Sequence, residues 1–130
     1  MTNTALSKKL LIKAGYQLLV LNAPEGYLSL LGDLPAGVTL HTEPVPGTAY
    51  DLVQTFIRNI SEVLSNSAVA IQTVKPGGLV WLAYPKKSGK ITTDLSRDVG
   101  WNSLSLLGWQ IVTLISIDPN WSCFRVKPKA

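Results

Sequence analysis

Apolar and polar positions fall along this chain in blocks whose period switches between that of a buried strand and that of an amphipathic helix. Tyr16-Gln17-Leu18-Leu19-Val20-Leu21 is a near-continuous apolar run, the mark of a strand covered on both faces. Leu79-Val80-Trp81-Leu82-Ala83-Tyr84 reads the same way, so both runs are predicted to be interior parallel strands. A short strand is expected at Val38 to His41, a third at Tyr50 to Phe56 and a fifth at Trp109 to Ile117. After the turn signal Asp118-Pro119-Asn120, Trp121 to Val126 alternates enough for an antiparallel return strand at one end of the sheet.

Helices are predicted between these runs. Ser7 to Lys13 is a short helical turn closed by Gly15, and Pro24 to Leu31 is a helix of about two turns, with proline suited to its first turn and Gly32 to its end. Asp33-Leu34-Pro35-Ala36-Gly37 is a loop, and Pro44, Pro46 and Gly47 forbid regular structure before the third strand. Asn59 is a good N-cap with Glu62 three positions on, and Ile60, Val63, Leu64, Ala68 and Ile71 recur at helical spacing. That helix ends at Pro76-Gly77-Gly78. Thr93 to Leu107 is predicted as a second long helix, capped by Thr93 and stopped by Gly108. Strand-helix alternation with double-sided burial implies right-handed crossovers, hence an α/β, three-layer Rossmann-like fold. Its sheet is expected to be six-stranded and mostly parallel with a C-terminal antiparallel hairpin, in a single domain over residues 1–130.

Two stretches carry resemblances. Tyr50-Asp51-Leu52-Val53, a helix, Val74-Lys75-Pro76-Gly77-Gly78-Leu79-Val80-Trp81, a further helix and a terminal hairpin resemble the second half of a class I S-adenosylmethionine-dependent methyltransferase, over roughly residues 50 to 126. That resemblance implies the sheet order second, first, third, fourth, sixth, fifth strand, with the sixth antiparallel. Leu21-Asn22-Ala23-Pro24-Glu25-Gly26-Tyr27 together with Pro85-Lys86-Lys87-Ser88-Gly89-Lys90 is similar to a family of small uncharacterised bacterial proteins known only as a domain of unknown function. It covers nearly the whole chain and implies no activity.

Departures from the methyltransferase pattern bear on function. Those enzymes let backbone approach the cofactor at a glycine-rich turn, whereas Ala23, Pro24 and Glu25 occupy it here and Gly26 alone remains. The ribose-binding carboxylate expected after the second strand has only His41 and Glu43 as candidates. The altered turn therefore leads to the expectation of no bound cofactor and no saturable binding of S-adenosylmethionine below the millimolar range.

Composition narrows the class further. Of 130 residues 46% are hydrophobic and 15% charged, which excludes a disordered chain and leaves enough apolar surface for a core without disulfides. One cysteine, Cys123, and one histidine, His41, cannot assemble a zinc-type ligand set. Met1-Thr2-Asn3-Thr4 has no signal-like pattern and no stretch reaches the roughly 18 apolar residues that span a bilayer, so a cytoplasmic protein without membrane contact is expected. The net charge of +4 comes from clusters near Lys8, Lys9 and Lys13, at Lys86, Lys87 and Lys90, and at Arg125, Lys127 and Lys129.

In parallel α/β sheets ligands sit at the carboxyl ends of the strands. The candidate ligand-binding residues are thus Asn22, Glu25, Gly26 and Tyr27 after the first strand, and Tyr84, Lys86, Lys87, Ser88 and Lys90 after the fourth. Three ammonium groups on one loop suit a phosphate or carboxylate. No catalytic constellation emerges: Ser88 and Ser96 lack a neighbouring histidine, Asp94 and Asp98 suit helix capping, and Cys123 suits buried packing. Trp81, Trp101, Trp109 and Trp121 read as packing residues, and with no aromatic ribonucleoprotein motif nucleic acid is not the expected partner. The reading is a ligand-binding or interaction module with a degenerate methyltransferase-like site, leaning away from an enzyme, its partner an anionic small molecule or a protein. The alternatives are a minimal methyltransferase, or a binder of a phosphorylated metabolite or nucleic acid through Lys86, Lys87 and Lys90.

Overall fold

The two apolar runs become neighbours of one shared strand. The computed structural model describes residues 4–32 and 34–129, so Asp33 of the expected loop lies outside the described residues. Along the chain come α1 (Thr4–Lys9), β1 (Gln17–Leu21), α2 (Tyr27–Leu31), β2 (Thr39–His41) and β3 (Tyr50–Phe56). They are followed by α3 (Ile60–Thr73), β4 (Val74–Pro85), α4 (Ser103–Leu106), β5 (Trp109–Ser116) and β6 (Trp121–Pro128). One mixed sheet has the order β2-β1-β3-β4-β6-β5. β1 pairs in parallel with β2 and β3, and β3 with β4, while β6 is antiparallel to both β4 and β5. The return strand therefore lies inside the sheet, and β5 rather than β6 forms its end.

Alternate residues of the central strands enter two separate cores, which is why their sequences show no polar face. Leu19, Val53, Val80 and Leu82 pack with Val63 and Ala70 of α3 and with Leu104 of α4. Leu18, Val20, Leu52, Phe56 and Trp81 pack on the other face with Leu6 of α1, Leu10, and Tyr27 and Leu31 of α2. Full burial of each such side chain stabilises by roughly 1.5–3 kcal/mol, so the sheet interior outweighs the short helices that cover it. Trp81 also donates its Nε1–H to the Leu10 carbonyl (3.0 Å), fixing the turn after α1 to the sheet.

α3 is capped as its sequence predicts, with one displacement. Asn59 Oδ1 accepts from Glu62 N–H (3.2 Å), but the Glu62 carboxylate accepts from Arg58 N–H (2.9 Å), one residue earlier than a capping box requires. The buried stripe is Val63, Ser67 and Ala70, whereas Ile60 and Leu64 of the expected face are 41% and 45% exposed. Small side chains at 67 and 70 let the helix approach β3 closely. α3 ends at Thr73 with Val74 as its C-cap, before the expected stop at Pro76-Gly77-Gly78, which lies instead in a bulge inside β4: Val74 pairs with Tyr50 and the register shifts before Leu79 pairs with Leu52. A Cβ on Gly78 would lie 2.9 Å from the Asp51 carbonyl oxygen.

The predicted helix over 93–107 is absent except for α4. Thr93 Oγ1 accepts from Leu95 N–H (3.0 Å) in a local turn, and the Asp94 carboxylate accepts from Ile60 N–H (2.8 Å) at the start of α3 instead of capping a helix of its own. Gly100 has φ 105°, which no helix accommodates. Leu95 is thereby driven into the core, fully buried. Serine, asparagine and aspartate side chains that compete for backbone groups left the segment little helical preference of its own. The helix expected from Pro24 likewise begins only at Tyr27, because Gly26 (φ 85°) turns the chain immediately before it.

Gly100 and Gly108 both have positive φ, but a Cβ on Gly100 would lie 2.8 Å from Ile60 Cγ1 and closer still to Leu95, whereas one on Gly108 meets nothing. Gly100→Ala is therefore expected to cost clearly more than the roughly 1 kcal/mol of backbone strain expected for Gly108→Ala, as compared by urea unfolding. At the other end of the sheet, Asp51 accepts from Gln17 N–H (2.7 Å) and pairs with Lys75 (2.5 Å). The Lys75 hydrogen bond, then the Gln17 bond, holds its carboxyl below the usual range. That stabilisation is complete above the ordinary carboxylate pKa and is lost as pH falls through the lowered folded value. Asp51→Asn keeps an acceptor for Gln17, and Lys75 is half exposed, so a loss of about 1 kcal/mol at neutral pH is expected. Denaturation profiles of variant and parent should converge in strong acid.

Candidate functional site

Between β1 and β3 the chain order reverses, since β1 leads outward to β2 on one side and inward to β3 and β4 on the other. The crevice outside the carboxyl ends of strands at such a switch point is where α/β sheets hold ligands. Asn22 leaves β1 with φ 60° and Gly26 enters α2 with φ 85°, so two left-handed residues shape the turn. Its Pro24 and Glu25 side chains line the site without filling it. A cavity of about 400 Å³ remains, bounded by Asn22, Pro24, Glu25, Gly26, Leu28 and Thr42.

Arg58, two residues beyond the end of β3, crosses this edge. Its Nη1 donates to the Asn22 carbonyl (3.0 Å), its guanidinium lies 5.5 Å from the centre of the Trp121 ring, and its carbonyl accepts from Thr93 Oγ1 (2.7 Å). Asn22 Nδ2 donates to Thr55 Oγ1 (3.3 Å). The ends of β1, β3 and β6 are thus joined through one cation. The sequence holds a signal for Arg58, its place between a strand end and an N-cap, but its partners lie 36 and 63 residues away. Local reasoning does not reach them.

The expected site residues divide into groups. Tyr27 turns inward: its ring is buried against Phe56 and its hydroxyl donates to Gln54 Oε1 (2.5 Å), with burial pushing its pKa up. Tyr84 is also buried, stacked on Phe124 with centroids 5.0 Å apart and edge-on to Trp101. Burial raises its pKa, opposed by a Ser122 hydrogen bond. Asn22, Glu25 and Gly26 share the cavity described above. Lys86, Lys87 and Ser88 line a different cavity of about 410 Å³ beside Ser96, Arg97 and Ser122. Lys90 lines a smaller one of about 230 Å³ with Lys87 and Thr93. The lysine loop does not face the Asn22 to Tyr27 loop as expected: the two line separate cavities, and Lys86 Nζ reaches Ser116 Oγ (2.6 Å) at the end of β5, away from β1.

Other polar residues are structurally engaged. His41 Nδ1 lies 2.6 Å from Tyr50 Oη, so the ring is held by β3, and Glu43 is exposed beyond it. Cys123 is fully buried, with its thiol pKa pushed up by that burial, which removes it as a nucleophile. Among the described residues no cluster of histidine, cysteine and carboxylate side chains suits a metal ion, and no helix is long and apolar enough to cross a membrane.

The architecture is that of known methyltransferases. A methyltransferase described as S-adenosylmethionine-dependent from Aquifex aeolicus superposes with a TM-score of 0.63 at 12% identity, over 95% of this chain and 88% of its own. One from Thiobacillus denitrificans in complex with S-adenosyl-L-homocysteine gives 0.61 at 12% identity, over 98% and 90%. The DhpI–SAH complex gives 0.57 at 15% identity, over 97% and 83%. At these identities the likeness is one of fold. No protein-family model matches the chain, and no curated protein matches it in sequence.

Arg58 ties three strand ends together, so Arg58→Ala is expected to lower stability by about 1–2 kcal/mol through the lost hydrogen bond and ring contact. Thermal unfolding measures the loss. A shift in tryptophan emission, as Trp121 loses its cover, should accompany it.

Proposed function

We propose that this chain is a minimal methyltransferase-type protein that binds S-adenosylmethionine in the cavity formed by the β1–α2 turn and Thr42. The observation that carries the reading is that cavity. Its volume of about 400 Å³ falls within the range of small-molecule sites, and it opens at the carboxyl edge of a fold shared with S-adenosylmethionine-dependent enzymes. The sequence favours a blocked turn. The geometry favours the other order of readings, because Asn22 and Gly26 bend the backbone far enough to leave room despite Pro24. Asn22, Glu25 and Thr42 supply the polar groups that would orient a nucleoside, and Leu28 an apolar wall. A group transfer itself is the chemistry the bound sulfonium would supply.

A ligand-binding or interaction module with a degenerate site is the second reading. Arg58 favours it, because its hydrogen bond already occupies the Asn22 carbonyl at the turn. Calorimetric titration with S-adenosylmethionine and S-adenosylhomocysteine separates the two. Saturable binding with Kd of about 100 μM or tighter is expected, and Thr42→Trp, which fills the cavity from an exposed position, should abolish it without changing the circular dichroism spectrum. No heat from either compound would sink the cofactor reading in favour of the module.

A further inference from the structure

The Lys86 to Lys90 loop is moored at both ends. Lys86 donates its backbone N–H to the Asn120 carbonyl (2.8 Å), Lys90 donates its own to Asn120 Oδ1 (2.9 Å), and Gly89 N–H closes on the Lys86 carbonyl (3.0 Å). Contact is so close that a Cβ on Gly89 would lie 2.9 Å from Asn120 Cα. Such a loop presents its side chains in a fixed arrangement and loses less freedom when it binds. The facing wall is fixed as well: Leu95 is fully buried, and Trp101 Nε1–H donates to the Ser96 carbonyl (2.7 Å). This wall exists because the 93–102 segment is not helical.

Between the two walls lies the cavity of about 410 Å³, with Lys86, Lys87 and Arg97 at its rim and Tyr84 and Ser122 toward its base. Lys86 Nζ donates to Ser116 Oγ and Lys87 Nζ to the Thr93 carbonyl (2.9 Å). Both acceptors are neutral, so each ammonium is positioned while its charge and further N–H groups remain available. Asp98 is the acid among the lining residues, 3.9 Å from Arg97 with both side chains largely exposed, an arrangement that cancels little. The rim is left with a positive excess. Leu114 of β5, 40% exposed, adds an apolar surface to the lining.

We propose that this cavity binds the phosphate of a small phosphorylated metabolite, with Lys86, Lys87 and Arg97 as cationic partners and Ser96 and Ser122 as hydroxyl donors. A dianion matches the excess of charge better than a monocarboxylate does, and guanidinium beside ammonium suits phosphate oxygens. The attached organic group would rest on Leu114. This site stands apart from the β1–α2 cavity, so it does not depend on the cofactor reading.

Titration of the full chain with inorganic phosphate at fixed ionic strength, followed by amide NMR, tests it, with acetate as the second arm. Saturable shifts confined to residues 84–90, 96–98 and 122 are expected with phosphate, and clearly weaker ones with acetate. Lys86→Ala combined with Lys87→Ala should weaken phosphate binding by about tenfold or more. Asn120→Ala changes no charge but frees the Lys90 end of the loop; an affinity loss of roughly threefold is expected if the mooring preorganises the site. Equal response to acetate and phosphate, unsaturable shifts, or unchanged phosphate affinity in the folded lysine variant would each overturn the proposal. If the lysine variant fails to fold, Arg97→Ala, on an exposed side chain, carries the same comparison.

Discussion

Leu18 to Leu21, Leu52, Val53 and Val80 to Ala83 have no solvent side, and a strand buried on both faces must be covered by two layers of other structure. The rest of the molecule follows from meeting that demand with few residues. α3 covers one face with a stripe of small side chains, while α1, the turn after it and the five-residue α2 cover the other. Trp81 and Phe56 compensate for the brevity of those helices by filling the second core with aromatic volume. Parallel pairing of β1, β3 and β4 then places every loop that follows a strand at one edge, and the reversal between β1 and β3 opens a crevice there.

How that edge is finished distinguishes this chain. A glycine-rich turn would give bare backbone; here a proline and a glutamate stand in the turn, and two left-handed residues bend the chain around a cavity instead. Arg58 draws the ends of β1, β3 and β6 together from beneath. Farther along, Asn120 clasps the lysine loop, and the irregular 93–102 segment folds over the edge because Leu95 finds a place in the core and Asp94 finds the start of α3. The larger cavities along this edge differ in character, one with a carboxylate and amide lining and one with a cationic rim.

The opposite edge has a structural task. Asp51 receives the first N–H of β1 and the Lys75 ammonium, and Gly78 brings the bulge of β4 against the Asp51 carbonyl. This arrangement sets the register in which Leu52 meets Leu79, and so decides which residues of β4 face each core. A single carboxylate there aligns three strands whose far ends carry the loops at the cavity edge.

Periodicity and punctuation in the sequence determined the strands, the Asn59 cap and the α/β class, because a strand buried on both faces and a capped helix each leave a mark within a few residues. The sheet order followed from the methyltransferase resemblance rather than from any local pattern. Tertiary structure decided the fate of 93–107, where Gly100 at φ 105° and a buried Leu95 act on a segment of little helical preference, and moved the buried face of α3 to Val63, Ser67 and Ala70. It also turned Tyr27 and Tyr84 into the core, brought Arg58 over Trp121 and separated the lysine loop from the Asn22 turn. Those outcomes rest on contacts between residues far apart in the chain, such as Tyr27 with Gln54, Ile60 with Asp94 or Arg58 with Trp121, and contacts at that range leave no periodic trace.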